Sequence, residues 1–361
     1  MRYQGKPSRC GRVRYQWLGV SMAALVAVLL AAACGSASSS KPSAAASKSG
    51  AALKVTTIGY ALSGPANDGG YYQDQAQEIK RIGQAAGIKV IVDQNADPNS
   101  AAVFEDLARQ GAQVVIADGS EFTPAMMSFS KNTAFNSTLP LMISGDPPVA
   151  STYATAGGNE LQAHFMGGVA AGLLLQQHGR NVACDVAGLN VTFVKNAALA
   201  MKAGLHYFNP KYKFLSTFTG DFNNAALAAS ASKALIAQGC YVLYPYLGGA
   251  IPAALNAATK AHILAVATSF NRCGTSASPP IAMSILYNPA FYLPSVVRAL
   301  ELGQIHRGQH WRLFSVGSNV GIGAVICHPT AHQTQVLNQV RKKLATGAIN
   351  VPKLIGSNVQ G

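Results

Sequence analysis

Short β-rich runs alternate with longer runs of helical period along most of this chain, and that order limits the folds open to it. Residues 55–60, 89–92, 114–117 and 141–144 are strand candidates, and the series resumes at 182–186, 213–217, 241–244 and 263–267. Between them apolar residues recur three or four apart, as in Tyr72, Ala76, Ile79 and Ile82, the spacing that lines one face of a helix. Near-continuous apolar strands separated by helices predict parallel sheets covered on both faces, an α/β architecture.

The series also repeats itself. Residues 107–115 end a helix at Gly111 and enter a strand; residues 236–243 do the same at Gly239, 128 positions later. Glycine enters the left-handed conformation that stops a helix without steric cost. Two such stops at the same stage of two βα series predict two similar lobes, each a doubly wound parallel sheet. Sheets of this kind bind ligands at the carboxyl ends of their strands. That rule selects the loops 62–72, 93–99 and 118–123 in the first half, and 188–194, 220–224, 246–250 and 268–271 in the second. A cleft between the two sets would bury a small solute from both sides.

The candidate binding residues follow. Asn67, Asp68, Tyr71, Tyr72, Asp118 and Phe122 come from the first half. Asn190, Phe193, Asp221, Phe222, Tyr246 and Ser269 come from the second, with Tyr287 near the hinge. Plainer roles compete for several of them. Asp68 and Asp221 each precede a helix and could cap it, and Phe193 and Phe222 could be core aromatics. Tyr71 and Tyr72 cannot both face a cleft if the helix starts at once, because neighbours on a helix point about 100° apart. Tyr72 fits either the buried stripe or the site.

Before this body, Arg2, Lys6, Arg9, Arg12 and Arg14 lead into an apolar run from Trp17 to Ala33 that contains no acid. A basic start, an apolar stretch and closing small residues make the three-part form of a secretory signal. The run is shorter than the roughly 20 residues of a spanning helix. Its ending, Ala31–Ala32–Ala33–Cys34–Gly35, resembles a bacterial lipobox, although Ala31 stands where Leu is usual. That resemblance implies a signal over 1–33 and a lipid on Cys34; an ordinary secretory signal cut nearby is the alternative. Residues 34–51, rich in Ser, Ala and Lys, read as a flexible tether. Of 28 Lys and Arg, five belong to the N-terminal segment, and the rest exceed the 14 acids by nine. Such a balance suits an anionic membrane or cell-wall surface. The densest basic run, Arg341–Lys342–Lys343, reads as the solvated face of a helix, and no nucleic-acid polymer is expected as a partner.

Cys10 leaves with the signal, so Cys184, Cys240, Cys273 and Cys327 remain in an exported body. Four cysteines allow three pairings. Cys273 with Cys327 is preferred because both follow late strands, with four buried free thiols as the alternative. His306 with His310, and His328 with His332, share the i,i+4 spacing that can present two nitrogens to zinc. Gly308 argues against a helix in the first pair, and no acid or cysteine completes either set. Residues 317–323 are Gly-rich but lead into a strand, the reverse of a phosphate cradle. No metal or cofactor is expected.

At the loops selected above the chain resembles the basic membrane protein family of bacterial lipoproteins, the purine-nucleoside-receptor-like substrate-binding components of ABC importers. Asn67–Asp68–Gly69–Gly70–Tyr71–Tyr72 is similar to the family's Asp-x-Ser-Phe-Asn, and Gly220–Asp221–Phe222–Asn223 to its Gly-Ser-Phe-Asn/Asp loop. Residues 110–116, 159–163 and 207–210 follow in the family's order. The resemblance implies a type I periplasmic-binding-protein fold, with a first lobe of 52–148 plus about 272–316 and a second of 149–271 plus about 317–361. By motif, Asp68 would take the carboxylate that holds ribose hydroxyls, and Tyr71 and Phe222 the aromatics that stack a base. The chain departs from the pattern at Tyr72, in place of Asn, and at residues 267–271, in place of an Asp-x-Asp segment. It departs again at Tyr287, where the family often has Lys.

The expected function is therefore a monomeric, lipid-anchored receptor on the extracytoplasmic side of the cell membrane. It would capture a small polar solute, nucleoside-like, and deliver it to an ABC permease. An exported nucleoside or glycoside hydrolase is the alternative from another class, and a sensory receptor of the same fold is a third. Against the hydrolase, no GxSxG elbow, metal-binding acid cluster or carboxylate pair stands out among 14 acids.

Overall fold

The computed structural model describes residues 54–68, 70–144, 150–274, 281–318 and 321–356. The signal, Cys34 and the tether lie outside the described residues. Along the first half run β1 (Thr57–Leu62), α1 (Tyr71–Ala86), β2 (Lys89–Asp93), α2 (Ala102–Arg109), β3 (Val114–Asp118), α3 (Thr123–Lys131), β4 (Leu139–Ser144) and β5 (Ala154–Gly158). The second half has α4 (Glu160–Gln177), β6 (Val182–Ala187), α5 (Thr192–Phe208), β7 (Lys213–Phe218), α6 (Ala225–Ala237), β8 (Val242–Tyr246), α7 (Ile251–Lys260) and β9 (Leu264–Ser269). The chain closes with β10 (Ile281–Leu286), α8 (Leu293–Glu301), β11 (His310–Phe314), β12 (Gly323–Ile326), α9 (Ala331–Ala345) and α10 (Val351–Ile355).

Two six-stranded sheets result, ordered β11-β5-β4-β3-β1-β2 and β12-β10-β9-β8-β6-β7. Every pairing is parallel except β10 with β12. In each sheet the order turns back beside the first strand, which opens the crevice of a doubly wound fold. Side chains of β3 show why its strand is apolar throughout. Val114 and Ile116 join the cluster that holds Tyr72, Ala76, Ile79 and Ile82 of α1. Val115 and Ala117 turn to the other face and pack with Phe104 and Leu107 of α2 and Phe129 of α3.

The two glycine stops occupy equivalent places. Gly111 has φ 94° and Gly239 φ 92°. After each, a backbone N–H reaches back across the last helical turn: Ala112 N donates to Leu107 O at 3.2 Å, and Cys240 N to Leu235 O at 3.1 Å. This six-to-one bond closes both helices in the same manner.

The chain crosses between sheets three times, and two crossings fall one strand later than the sequence boundaries placed them. β5 belongs to the first sheet, although the boundary at 148/149 gave it to the second lobe. Its sequence, Ala-Thr-Ala-Gly-Gly, has a single β-branched residue and no aromatic, little of what marks a strand. β10 belongs to the second sheet, although the boundary at 271/272 gave it to the first. The third crossing runs between β11 and β12.

Arg341 braces this third crossing. Its Nη1 donates to the carbonyls of Val316 at 2.8 Å and Ile322 at 3.0 Å, so this arginine is half-buried rather than part of a solvated face. The body also carries two disulfides, Cys184–Cys240 and Cys273–Cys327, with Cα atoms 5.9 and 5.1 Å apart. The alternative of four free thiols is overturned. Cys184–Cys240 ties β6 to the approach of its neighbour β8. Among the described residues no helix is long and apolar enough to cross a membrane.

Candidate functional site

Seven strand ends converge on one cavity of about 550 Å³, open mouth included. Tyr71 and Tyr72 reach it from the start of α1, and Gly119, Ser120 and Glu121 from the turn after β3. Glu160 begins α4, Phe193 lies in the first turn of α5, and Phe222 follows β7. Tyr246, Leu247 and Gly248 close β8, and Tyr287 follows β10. Among the described residues the lining has six aromatic rings and two carboxylates, with no Lys, Arg or His.

Local backbone explains how these side chains fit. Gly64 leaves the notch that Tyr72 fills, since a Cβ there would overlap the tyrosine ring. Gly188 does the same for Phe222. Tyr71, at the first helical position, and Tyr72 both line the cavity, in an edge-to-face pair with centroids 5.4 Å apart and planes at 86°. The expectation that only one of them could do so is corrected. Tyr72 is 6% exposed and packs in the core as well, so it serves both roles. Gly119, at φ 125°, lets Glu121 fold back over the turn, where a side chain at 119 would collide with the carboxylate.

Both carboxylates are held by neutral hydroxyls. Ser63 Oγ donates to Glu121 Oε1 at 2.6 Å and lies 3.0 Å from Tyr72 Oη. Tyr246 Oη donates to Glu160 Oε2 at 2.9 Å. Burial pushes the Glu121 carboxyl above its ordinary range. Beneath Tyr71, whose hydroxyl donates to Asp118 Oδ1 at 3.3 Å, Asp118 is fully buried. Burial first, and then the negative charge of Glu121, hold its pKa well above the usual carboxylate value. Under Tyr246 and Tyr287 lies His164, with ring centroids 5.1 Å from each. Its Nδ1 is 2.8 Å from the Glu160 carbonyl, which can only accept, so Nδ1 carries the proton. Burial lowers its pKa to about 4, and the neutral Nε2 faces Tyr244 Oη at 2.9 Å.

Of the residues expected here, Tyr71, Tyr72, Phe193, Phe222, Tyr246 and Tyr287 line the cavity. The other seven do not. Asp68 accepts from Gly70 N, Tyr72 N and Gln73 N at 2.9, 3.3 and 3.0 Å, so its carboxylate satisfies the open N–H groups at the start of α1. Asn67 and Asn190 are exposed. Asp221 is exposed in a turn, accepting from Asn223 N at 2.6 Å. Asp118 lies behind Tyr71, as described. Phe122 turns inward after Gly119 and packs 5.7 Å from Phe104 in the core of the first lobe. Ser269 is buried at φ 73° and accepts from Asn288 Nδ2 at 2.8 Å, pinning the second crossing. Glu121 and Glu160 were missed, and with them the pair of carboxylates the sequence reading found absent. Their signal was position: each follows a strand of the first sheet by a few residues in a chain poor in acids.

Two facing lobes with an aromatic and acidic cavity at their strand ends define a solute-binding protein. The family profile of the Bmp, PnrA-like ABC transporter substrate-binding proteins matches residues 55–352, and the chain belongs to that family. Among solved structures it is similar to an ABC transporter solute-binding protein from Conexibacter woesei. That likeness has TM-score 0.63 and 20% identity, over 83% of this chain and 99% of that one. An ABC solute-binding protein from Aeropyrum pernix gives TM-score 0.70 at 13% identity, over 81% and 92%. The Caulobacter myo-inositol binding protein gives 0.56 at 13%, over 80% and 97%. These likenesses show the type I periplasmic-binding-protein fold. No curated protein matches the chain. Proteins of such ABC systems bind small-molecule solutes outside the cytoplasm and meet a permease.

Proposed function

We propose that this chain is a lipid-anchored receptor that captures one small, flat, nucleoside-like solute between its lobes and hands it to an ABC permease. The observation that supports this reading is the pairing of six aromatic rings with Glu121 and Glu160 in one cavity. Rings offer large contact area with few rotors to freeze, and a desolvated carboxylate accepts hydroxyl hydrogens strongly. Cys34 would hold the receptor near its permease. Mass spectrometry of the N-terminal peptide should find a diacylglyceryl group there, and an unmodified Cys34 would sink the anchor.

Calorimetry against nucleosides should give one site per chain, with a closing motion visible as a smaller radius of gyration. Tyr71→Ala and Phe222→Ala should each weaken binding about 10- to 100-fold, because each removes a stacking wall worth roughly 1.5–3 kcal/mol. Unchanged affinity in both would mean that the solute sits elsewhere. Glu121 and Glu160 facing one cavity give the exported hydrolase a specific argument it otherwise lacked. Chromatography of the bound solute decides between them: recovery intact supports the receptor, and steady turnover rejects it.

A further inference from the structure

Charge is divided unequally between the two lobes. Residues 54–158 and 288–320, which build the first sheet and its helices, hold nine Lys and Arg against eleven acids. Residues 159–287 and 321–361, which build the second, hold twelve against three. Two of those three acids, Glu160 and Asp185, are buried, which leaves Asp221 at the surface. The positive excess of the body is carried by the second lobe.

Within that lobe the lysines favour one side. α4, α5, α9 and α10 join the core cluster on one face of the second sheet, while α6 and α7 pack in a separate cluster on the other. α4 is buried along nearly its whole length, so α5, α9 and α10 make the outer surface there. They expose Lys195, Lys202, Lys342, Lys343 and Lys353. No acid stands between Asp185 and Asp221 or after Glu301, so none of these three helices carries one. Among the described residues no carboxylate pairs with any of the five lysines. The opposite helices, α6 and α7, have two lysines between them.

The same face exposes large apolar side chains. Leu199 and Tyr207 of α5 and Leu354 of α10 are 43, 45 and 57% exposed. One exposed leucine is ordinary. Three such side chains among five lysines on an acid-free face make an interfacial surface. Apolar tips enter the boundary between headgroups and acyl chains, and ammonium groups meet anionic headgroups. Lys343 joins the two kinds directly: its Nζ donates to Tyr207 Oη at 2.9 Å and lies 5.7 Å from the ring centroid. A soluble polyanion would use the charge and leave the apolar side chains in water.

We propose that the face built by α5, α9 and α10 lies against an anionic phospholipid bilayer. None of these eight side chains lines the cleft, so the contact leaves solute exchange free. A lipid on Cys34 would tether the chain without orienting it; this face would set which way the cleft points above the membrane.

The test is lysine footprinting of the full chain on vesicles of phosphatidylcholine, with and without phosphatidylglycerol. Acetylation is read residue by residue by mass spectrometry. On the anionic vesicles each of the five lysines should react about fivefold more slowly. Lys80 and Lys131, exposed on the first lobe, should react at one rate on both. Because the comparison is between two vesicle types, it holds whether or not Cys34 carries lipid. Equal rates at the five lysines on both vesicles overturn the proposal, as does equal slowing of Lys80 and Lys131. Polyphosphate added to the phosphatidylcholine vesicles should not reproduce the effect; the same slowing there would make the face a site for a soluble polyanion and reject the bilayer.

Discussion

Gly204→Ala is expected to lower the melting temperature by about 5–10 °C. α4 and α5 cross at two glycines. A Cβ on Gly204 would overlap the carbonyl oxygen of Phe165 and lie 2.8 Å from its carbonyl carbon. One on Gly168 would overlap the Met201 carbonyl oxygen and lie 2.6 Å from Leu205 N. Backbone, unlike a side-chain tip, cannot step aside, so the helices must separate. α4 is buried along nearly its whole length, so separation opens gaps against the second sheet. Overpacking of this severity costs about 3 kcal/mol, and each kcal/mol moves the midpoint by a few degrees in a chain of this size. Gly111→Ala is the useful comparison. No atom lies within 4 Å of its added Cβ, and only the left-handed φ of 94° is strained, at about 1–2 kcal/mol. Thermal unfolding followed by circular dichroism ranks the two. If Gly204→Ala melts no lower than Gly111→Ala, the tight crossing is wrong.

Asp185→Asn should stabilise the protein at high pH and not at low pH. Asp185 sits on β6, 1% exposed, and its Oδ1 has no partner among the described residues. Burial raises its pKa to about 7, against a pull downward from the Ser216 hydrogen bond. In the unfolded chain the same group titrates near 3.9. Between those values the native state keeps a proton that the unfolded state has released, so stability falls as pH rises through this window. The loss is complete above about pH 7 and amounts to about 4 kcal/mol. His164 acts in the opposite sense. With a native pKa of about 4, its contribution is present above about 6.5 and is lost as pH falls toward 4. The difference between variant and parent cancels that second effect. Urea unfolding at pH 4, 6 and 8 should show the advantage of Asp185→Asn growing from near zero to about 4 kcal/mol. A constant difference across the three would show that Asp185 does not carry the proton.

The architecture was legible because it rests on periodicity, which is a property of the chain alone. The stripe of Tyr72, Ala76, Ile79 and Ile82 is buried as the spacing requires, and both glycine stops are left-handed. One failure was an element whose residues have little local preference. β5 forms from two alanines, two glycines and one threonine because β4 and β11 flank it, and little within its five residues announces that. The site was legible to the level of loops and not to the level of side chains. At the end of β3 and in the turn after it, Asp118, Glu121 and Phe122 lie within five positions of one another. One is buried behind a tyrosine, one faces the cavity and one joins the core. The positive φ of Gly119 makes that choice, and no residue type encodes it.

Two α/β lobes, their parallel sheets and the strand ends where a ligand would sit were determined by sequence, through apolar periodicity and two helix-stopping glycines. Which sheet takes β5 and β10, which cysteines pair, and which acids face the cleft were decided only by tertiary structure. These are outcomes of competition between distant segments for the same space. Asp68 turned to the N–H groups of its own helix because they are adjacent and otherwise unmet. Glu121 and Glu160, distant in sequence, became neighbours of one cavity because β3 and β5 end at the same edge of one sheet.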